Sequence, residues 1–240
     1  MQQLHPEEPE VQDCTLVIPA YNEEARIGKL LAELPETRCR IIFVFDGADR
    51  TAERVRQFSS THPGLPITCL EFPSRLGKGG AIREGLKESR TAFTGYVDAD
   101  GSTSLREMER LFRHLGHADG AIGSRWVDGA TLHVRQGIVR RAQSRGFNLI
   151  VRALFAMPFH DTQCGAKVFR KAAVDAVIDM VNATGFEFDV ELLWRMRSEG
   201  FRIEEVPLAW HDMQGSRVRT RDVLRMFAGL LRVRAGGLSP

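Results

Sequence analysis

The sequence predicts an α/β fold in which a mostly parallel, Rossmann-like sheet is covered by helices on both faces. Short β-branched and aromatic runs alternate with stretches of helical spacing along most of the 240 residues, a pattern typical of βαβ units. Polar residues follow the ends of several predicted strands, where open parallel sheets bind their ligands. With 43% hydrophobic residues, the chain can bury a substantial core.

The first half of the chain contains four predicted strands. They span residues 14–19, 40–45, 67–72 and 92–97. Apolar residues at helical spacing follow the first three, within 22–34, from about 51, and within 79–90. Three consecutive strand–helix units are therefore expected before the fourth strand.

The second half is predicted to continue the same fold and to end in a separate helix. Helices are expected at 108–115, 137–155, 186–198 and 222–234, and strands at 120–125 and 201–206. The expected organisation is a flexible tail over 1–12, one α/β domain over 13–218, and a basic amphipathic C-terminal helix within 219–240.

The composition indicates an ordinary globular domain with an uneven charge. The formal net charge is only +2, but residues 213–240 contain six arginines against one acid. The four cysteines show no metal-like or disulfide-like spacing, which favours a reducing cytoplasm. The polar, acidic start predicts no signal peptide, and no apolar run approaches the ~18 residues of a membrane span.

Two aspartates stand two residues apart after the fourth predicted strand. Asp98 and Asp100 leave the sheet at its carboxyl edge, and Gly101 ends the strand. Carboxylates at this spacing can converge on one hard divalent cation, which can bridge a diphosphate. A solvated turn before a helix near Ser104 is the structural alternative, because Asp is common in turns and caps.

Several other polar residues admit both a chemical and a structural interpretation. Lys78 in the glycine-rich 77–80 segment fits either a phosphate contact or an ordinary helix start. Asp189 and Glu191 fit either a catalytic role or acids that complement a helix dipole. Cys164 is expected to be a small buried residue that does not act as a nucleophile.

The predicted helix 137–155 carries polar residues along one face. Arg140, Ser144 and Asn148 follow at intervals of four, which suits a single phosphate, although such arginines commonly form a solvated face. The apolar stretch 147–159 and the C-terminal helix fit either the core or a membrane surface. Basic residues without interleaved aromatic residues give no support for nucleic-acid binding.

Several motifs in one order resemble the family 2 glycosyltransferases of GT-A fold. These motifs lie at 17–24, 46–47, 77–81, 98–101 and 123–125. Three downstream motifs, at 161–167, 187–191 and 210–217, are similar to those of the dolichyl-phosphate glucose and mannose synthases. The dolichyl-phosphate β-glucosyltransferase branch is the nearest of these in its motifs.

The resemblance implies a role for each matching position. The nucleotide-sugar residues would be Pro19, Tyr21, Glu23, Asp46, Lys78, Asp98, Ala99 and Asp100. The acceptor phosphate would be received by Arg125, Arg140, Ser144, Asn148 and Arg217. Asp98 and Asp100 would hold Mg²⁺ or Mn²⁺, and the catalytic set would be Asp98, Asp100, Arg125 and Asp189.

The reaction implied by the resemblance is an inverting hexose transfer from UDP-glucose or GDP-mannose to dolichyl or polyprenyl phosphate. The product would be a β-linked lipid-phosphate sugar. A phosphate acceptor is already ionised near neutral pH, so the transfer needs no dedicated base. Such an acceptor implies a peripheral position at the cytoplasmic face of a membrane.

Three alternatives remain open from the sequence. Transfer to a hydroxyl acceptor in polysaccharide or glycolipid synthesis would need a base, which an acid near Asp189 would have to supply. A sugar nucleotidyltransferase would also use an Asp-held metal, but the segment 19–22 lacks the expected glycine-rich signature. A non-catalytic nucleotide-binding module is disfavoured by the intact Asp98 and Asp100 pair.

Overall fold

The computed structural model of the chain describes residues 13–132, 138–211 and 220–236, without the side chains of 132–145 and 220–225. The strands are β1 Cys14–Ala20, β2 Arg40–Phe45, β3 Ile67–Glu71, β4 Phe93–Val97, β5 Gly120–Ser124, β6 Thr131–Leu132, β7 Ala166–Arg170, β8 Ile203–Pro207 and β9 Ala209–Trp210. The helices are α1 Ile27–Glu33, α2 Thr51–Thr61, α3 Gly77–Glu88, α4 Leu105–Arg113, α5 Ile138–Phe155, α6 Lys171–Val177, α7 Phe188–Ser198 and α8 Thr220–Gly236.

Seven strands form one sheet in the order β3-β2-β1-β4-β7-β5-β8. Only β7 runs antiparallel to its neighbours in this sheet, so the prediction of a mostly parallel sheet is confirmed. The connection 156–165 explains this reversal, because it contacts residues that follow β4 and β5 at the carboxyl edge. A strand that starts from that edge must run back across the sheet.

The core consists of two apolar layers, one on each face of the sheet. Residues alternate between these layers along β1, where Leu16 and Ile18 face one cluster and Val17 faces the other. The first layer packs against α1, α2 and α4, and the second against α3, α5, α6 and α7. Both faces are therefore covered, as the strand–helix alternation predicts.

The C-terminal helix contributes to the second layer. Met226 and Leu230 of α8 are buried there, and α8 contacts both α5 and α7. Part of the apolar side of this helix therefore lies in the core, which is one of the two alternatives that the sequence left open. In the part of the chain that the structure describes, no helix is both long and apolar enough to cross a membrane.

Candidate active site

Predicted site residues lie at the carboxyl edge of the sheet, in the segments that follow the parallel strands β1 to β5. Tyr21 follows β1, Asp46 follows β2, Asp98 follows β4, Arg125 follows β5, and Lys78 lies at the start of α3. Because these strands run in the same direction, their ends meet at one edge. The structure thus brings together residues that lie up to a hundred positions apart in the chain.

The loop after β4 is a tight turn that presents two carboxylates. The Asp100 carboxylate accepts the amide of Ser102 at 2.9 Å, and Gly101 has a φ of +70° that suits glycine. Lys29 donates to the carbonyl of Gly101 at 2.8 Å, and the His211 amide donates to the carbonyl of Ser102 at 2.9 Å. The turn is therefore ordered by surrounding elements rather than merely solvated.

The two aspartates of this turn are partly exposed, whereas the residue between them is buried. Ala99 packs its methyl group in the first apolar layer, so only its backbone faces the edge of the sheet. Asp98 and Asp100 are thus both accessible from solvent at the carboxyl edge of the sheet.

The Asp98 carboxylate lies between a lysine and a glycine. Its Oδ1 atom is 2.7 Å from the Lys78 ammonium, and its Oδ2 atom would be 2.0 Å from a Cβ at Gly165. Burial opposes ionisation of Asp98, but Lys78, Lys167 and Arg125 outweigh it and hold the pKa of Asp98 below its ordinary value. Asp98 is therefore ionised and already paired with the Lys78 ammonium.

Asp98 and Asp100 fit a divalent metal that the protein holds by two carboxylates. Carboxylate oxygens are the ligands that Mg²⁺ and Mn²⁺ prefer, and the space over Gly165 accommodates the Asp98 carboxylate only because no side chain fills it. No group of three or more His, Cys, Asp or Glu side chains in the described residues is arranged to hold a metal. The remaining ligands would come from a diphosphate and water.

The first two loops of this edge are joined by side chain to backbone hydrogen bonds. The Asn22 amide oxygen accepts the backbone amides of Ala48 and Asp49 at 2.9 and 3.2 Å. The Glu23 amide donates to Thr51 at 2.8 Å, and the Glu23 carboxylate pairs with Arg26 at 2.7 Å. Glu23 thus stabilises its loop, and its predicted contact with a nucleotide stays a prediction, as does that of Pro19.

Asp46 fixes the loop before α3. Its Oδ2 atom accepts the amides of Leu76 and Gly77 at 2.9 and 3.0 Å, and the side chain is buried. On the same loop, the Arg75 guanidinium lies over the Tyr21 ring, 4.1 Å from its centre. Asp46 therefore positions Arg75 beside Tyr21, and its predicted contact with the base or ribose stays a prediction.

A buried network lies beneath the Asp98 turn. Asp189 is 2% exposed, and its Oδ1 atom accepts hydrogen bonds from Lys167 and Tyr96, each at 2.5 Å. Lys167 also donates to the carbonyl of Cys164 at 2.5 Å. Burial, followed by Asp189, raises the pKa of Tyr96 well above its ordinary value, so Tyr96 remains a donor.

This network gives Asp189 a position that favours a structural role over contact with substrate. Its carboxylate faces two donors inside the protein, and a group so enclosed is poorly placed to take a proton from an acceptor. Glu191, the other acid of this motif, accepts the amides of Asn182 and Ala183 and pairs with Arg195 at 2.7 Å. The sequence indicated Asp189 but not its partners, Tyr96 and Lys167.

Arg125 is held by a buried carboxylate that sequence reasoning did not single out. Its Nε and Nη2 atoms donate to Asp161 at 2.7 and 2.9 Å, and its guanidinium lies 5.4 Å from the centre of the Trp210 ring. Burial opposes the charge of Arg125, but Asp161 outweighs this effect and raises its pKa. Arg125 is a fixed positive charge that also acts on Asp98.

The remaining predicted acceptor residues are described only in part. Asn148 is buried on α5, and its oxygen accepts the backbone amide and the hydroxyl of Thr162 at 3.2 and 3.0 Å. It therefore joins α5 to the loop that carries Asp161. The side chains of Arg140 and Ser144, and the whole of Arg217, lie outside the described residues, so their contact with a phosphate stays a prediction.

Comparisons with known proteins agree with this architecture. A family model described as "Glycosyl transferase family 2" matches residues 15–178. A dolichyl-phosphate beta-glucosyltransferase of Trichomonas vaginalis is 30% identical over 237 residues, which cover 91% of this chain and 70% of that protein. The dolichyl-phosphate beta-glucosyltransferase of Saccharomyces cerevisiae is 29% identical over 247 residues, covering 92% and 73%.

The fold also matches solved structures. A glucosyl-3-phosphoglycerate synthase from Mycobacterium tuberculosis, solved in complex with Mn²⁺, UDP and glucosyl-3-phosphoglycerate, has a TM-score of 0.68 and 18% identity. The alignment covers 92% of this chain and 80% of that one. At this identity the likeness concerns the fold, and it confirms the GT-A fold that the sequence predicts.

Proposed function

Because the chain belongs to glycosyl transferase family 2, we propose that it transfers glucose from a nucleotide-diphosphate sugar to dolichyl or polyprenyl phosphate. The names of the two relatives support glucose and a lipid phosphate. UDP-glucose is the proposed donor, and GDP-mannose is the donor to compare it with. Direct displacement at the anomeric carbon would invert its configuration and give a β-linked lipid-phosphate sugar.

The observation that carries this proposal is the pair Asp98 and Asp100 beside Lys78. Two carboxylates at the carboxyl end of β4 would hold Mg²⁺ or Mn²⁺, which supplies Lewis-acid stabilisation of the diphosphate leaving group. Lys78, 2.7 Å from Asp98, is within reach of the same diphosphate. At the adjacent loops the Arg75 guanidinium stacks on the Tyr21 ring, and we propose that the nucleotide binds there.

The position of Asp189 supports a phosphate acceptor over a hydroxyl acceptor. A lipid phosphate is ionised near neutral pH and can attack without a base, whereas a hydroxyl needs a carboxylate or a comparable group to take its proton. Asp189 is enclosed by Tyr96 and Lys167. Arg125, with Arg140, Ser144 and Arg217, would orient the acceptor phosphate.

The acceptor is tested with two lipids that differ only in the phosphate. The protein, Mn²⁺ and radiolabelled UDP-glucose are incubated with a short polyprenyl phosphate or with the matching polyprenol. The proposal requires label to enter the lipid only with the phosphate. Transfer to the polyprenol would support the hydroxyl-acceptor alternative instead.

A membrane surface is the second partner that we propose, because a polyprenyl acceptor lies there. Four apolar side chains on the contacting helices α5 and α8 are exposed, and they are here called the apolar patch. They are Leu149 at 67% exposure, Ile150 at 41%, Phe227 at 40% and Leu231 at 47%. The two helices contact each other, and Arg234 of α8 donates to the carbonyl of Leu154 of α5 at 3.1 Å.

The charge of these helices supports contact with an anionic bilayer. Helix α5 contains four arginines and no acid, and α8 contains four arginines and one aspartate. Exposed apolar residues beside basic residues are typical of helices that lie in a membrane interface. Leu149 and Asn148 are neighbours in sequence, so the patch is adjacent to the part of α5 that is joined to the Asp161 loop.

This contact is tested by co-sedimentation with vesicles of phosphatidylcholine alone or mixed with phosphatidylserine. We expect binding to the mixed vesicles, loss of binding in the double variant Leu149→Glu/Phe227→Glu, and unchanged binding in Met180→Glu, whose exposed side chain lies outside the patch. Equal binding by the double variant and the unaltered protein would contradict the proposed surface.

A further inference from the structure

Lys78 is held against Asp98 by a fixed backbone. The amide of Gly77 donates to Asp46 at 3.0 Å, and the amide of Gly79 donates to the carbonyl of Thr184 at 2.9 Å. Hydrogen bonds thus hold the backbone both before and after Lys78. Its side chain is 18% exposed and that of Asp98 is 33% exposed, so the ion pair is accessible from solvent.

The carboxylate of Asp98 has no unoccupied face toward the protein. One oxygen lies against Gly165, where a Cβ would be 2.0 Å away, and the other holds the Lys78 ammonium at 2.7 Å. A cation that approaches Asp98 from solvent therefore meets the positive charge of Lys78. The two cations compete for the same carboxylate.

A lysine side chain is protonated near neutral pH, so Lys78 brings a full positive charge to Asp98 at 2.7 Å. Four carboxylates, those of Asp98, Asp100, Asp161 and Asp189, face three cationic side chains, those of Lys78, Lys167 and Arg125, so these seven groups have a net charge of −1. A divalent ion added alone gives them an excess of positive charge, which a partly buried site disfavours.

We infer that Lys78 is an internal placeholder for the metal, which makes metal binding depend on the nucleotide diphosphate. When the diphosphate arrives with the metal, its negative charge offsets the added cation, and the Lys78 ammonium moves from Asp98 to a phosphate oxygen. The free protein then has low affinity for the metal, and the two ligands bind cooperatively. This inference rests on the donor half of the proposed function and is independent of the acceptor.

The test is a titration of the full chain with Mn²⁺, followed by electron paramagnetic resonance, with and without UDP. We compare the unaltered protein with Lys78→Met. The variant is expected to bind Mn²⁺ alone roughly tenfold more tightly or better, because the competing charge is gone. The gain in Mn²⁺ affinity on adding UDP is expected to fall in the variant by a similar factor.

Lys87→Met is the matched control. Lys87 lies in the last turn of the same helix, whereas Lys78 lies in the first, and it pairs with Asp179 at 2.6 Å. Its replacement removes a lysine and an ion pair without touching Asp98, so Mn²⁺ binding should equal that of the unaltered protein. If Lys78→Met does not fold, Lys78→Gln, which also removes the charge, must show the same direction of change.

The outcomes separate this inference from the proposed function. If the unaltered protein binds Mn²⁺ with UDP, but neither Lys78 variant gains affinity for Mn²⁺ alone, the placeholder role is overturned and the donor site stands. If the unaltered protein binds no Mn²⁺ even with UDP, both the donor site and the placeholder role are overturned. Tighter binding of Mn²⁺ alone by the Lys78 variants supports both.

Discussion

The ammonium of Lys167 lies 2.5 Å from the carboxylate of Asp189 in the interior of the protein, and neither side chain is more than 2% exposed. Lys167 is on β7 and is the register partner of Tyr96 on β4, which donates to the same carboxylate. The pair therefore connects the central strands to the first turn of α7. Because Lys167 also donates to the Cys164 carbonyl, it holds the segment that contacts Asp98.

Replacing Lys167 with Met should cost about 3–5 kcal/mol of unfolding free energy, because Asp189 would be left as a buried charge without its ammonium partner. Urea denaturation followed by tryptophan fluorescence measures this loss. The double variant Lys167→Met/Asp189→Leu should recover part of it, since the buried charge is gone but the Tyr96 hydroxyl and the Cys164 carbonyl lose their partners. A double variant as unstable as the single one would contradict the assignment.

Gly165→Ala should lower the transfer rate by roughly 100-fold, because the added methyl group must push the Asp98 carboxylate aside. The melting temperature should change little, since Asp98 is partly exposed. Gly28→Ala is the control, for its Cβ would meet nothing within 4 Å on an exposed helix face. Full activity of Gly165→Ala would show that the orientation of Asp98 is unimportant.

Asp100→Asn should reduce transfer by at least about 1000-fold while the protein stays folded. The asparagine oxygen can still accept the Ser102 amide that Asp100 accepts at 2.9 Å, so the turn is kept and only the charge is lost. Circular dichroism and the transfer assay are measured on the same preparation. Normal metal-dependent turnover of this variant would disprove the role of Asp100 in holding the metal.

Arg140→Ala should raise the KM for polyprenyl phosphate by roughly tenfold or more, because the proposed role of its guanidinium is to orient the acceptor phosphate. The KM for the donor should stay unchanged, because this role involves no contact with the donor. Steady-state kinetics with a short-chain acceptor measure both constants. Arg152→Ala, an exposed position on the same helix, should change neither. An equal rise of both constants in Arg140→Ala would indicate a general loss of structure instead.

Cys164 should be unreactive in the folded protein. Burial, followed by Asp161, raises the pKa of the Cys164 thiol to about 11, so almost no thiolate exists at pH 8. Mass spectrometry after iodoacetamide treatment should find Cys164 unmodified until urea unfolds the chain. Cys164→Ala should retain transfer and lose about 1 kcal/mol of stability from the lost buried sulfur. Rapid alkylation of the native protein would contradict the buried position.

Elements with their own apolar pattern could be predicted from the sequence to within a few residues. The predicted helices 137–155 and 186–198 are found at Ile138–Phe155 and Phe188–Ser198. The helix expected from 22 begins only at Ile27. Its beginning is delayed because Asn22 has a φ of +54° and binds the amides of the 48–49 loop, a contact that no local pattern reveals.

The position of the candidate site could be predicted from the sequence, but the side chains that pair with one another within it could not. Aspartates and lysines that follow strand ends must meet at one edge of a parallel sheet, and this placed Asp98 and Lys78 together. The partners of Arg125 and Asp189 depend on β7 entering the sheet between β4 and β5. Only that register sets Lys167 beside Tyr96 and brings the Asp161 loop to Arg125.

The most direct test of the proposed function is to follow the fate of the sugar. Purified protein, Mn²⁺ and a short polyprenyl phosphate are incubated separately with radiolabelled UDP-glucose and GDP-mannose, and each mixture is extracted with organic solvent. We expect label from UDP-glucose in the organic phase, and none when the polyprenyl phosphate or the metal is omitted. If neither donor gives extractable label while free nucleotide is released, the protein does not transfer to a lipid phosphate.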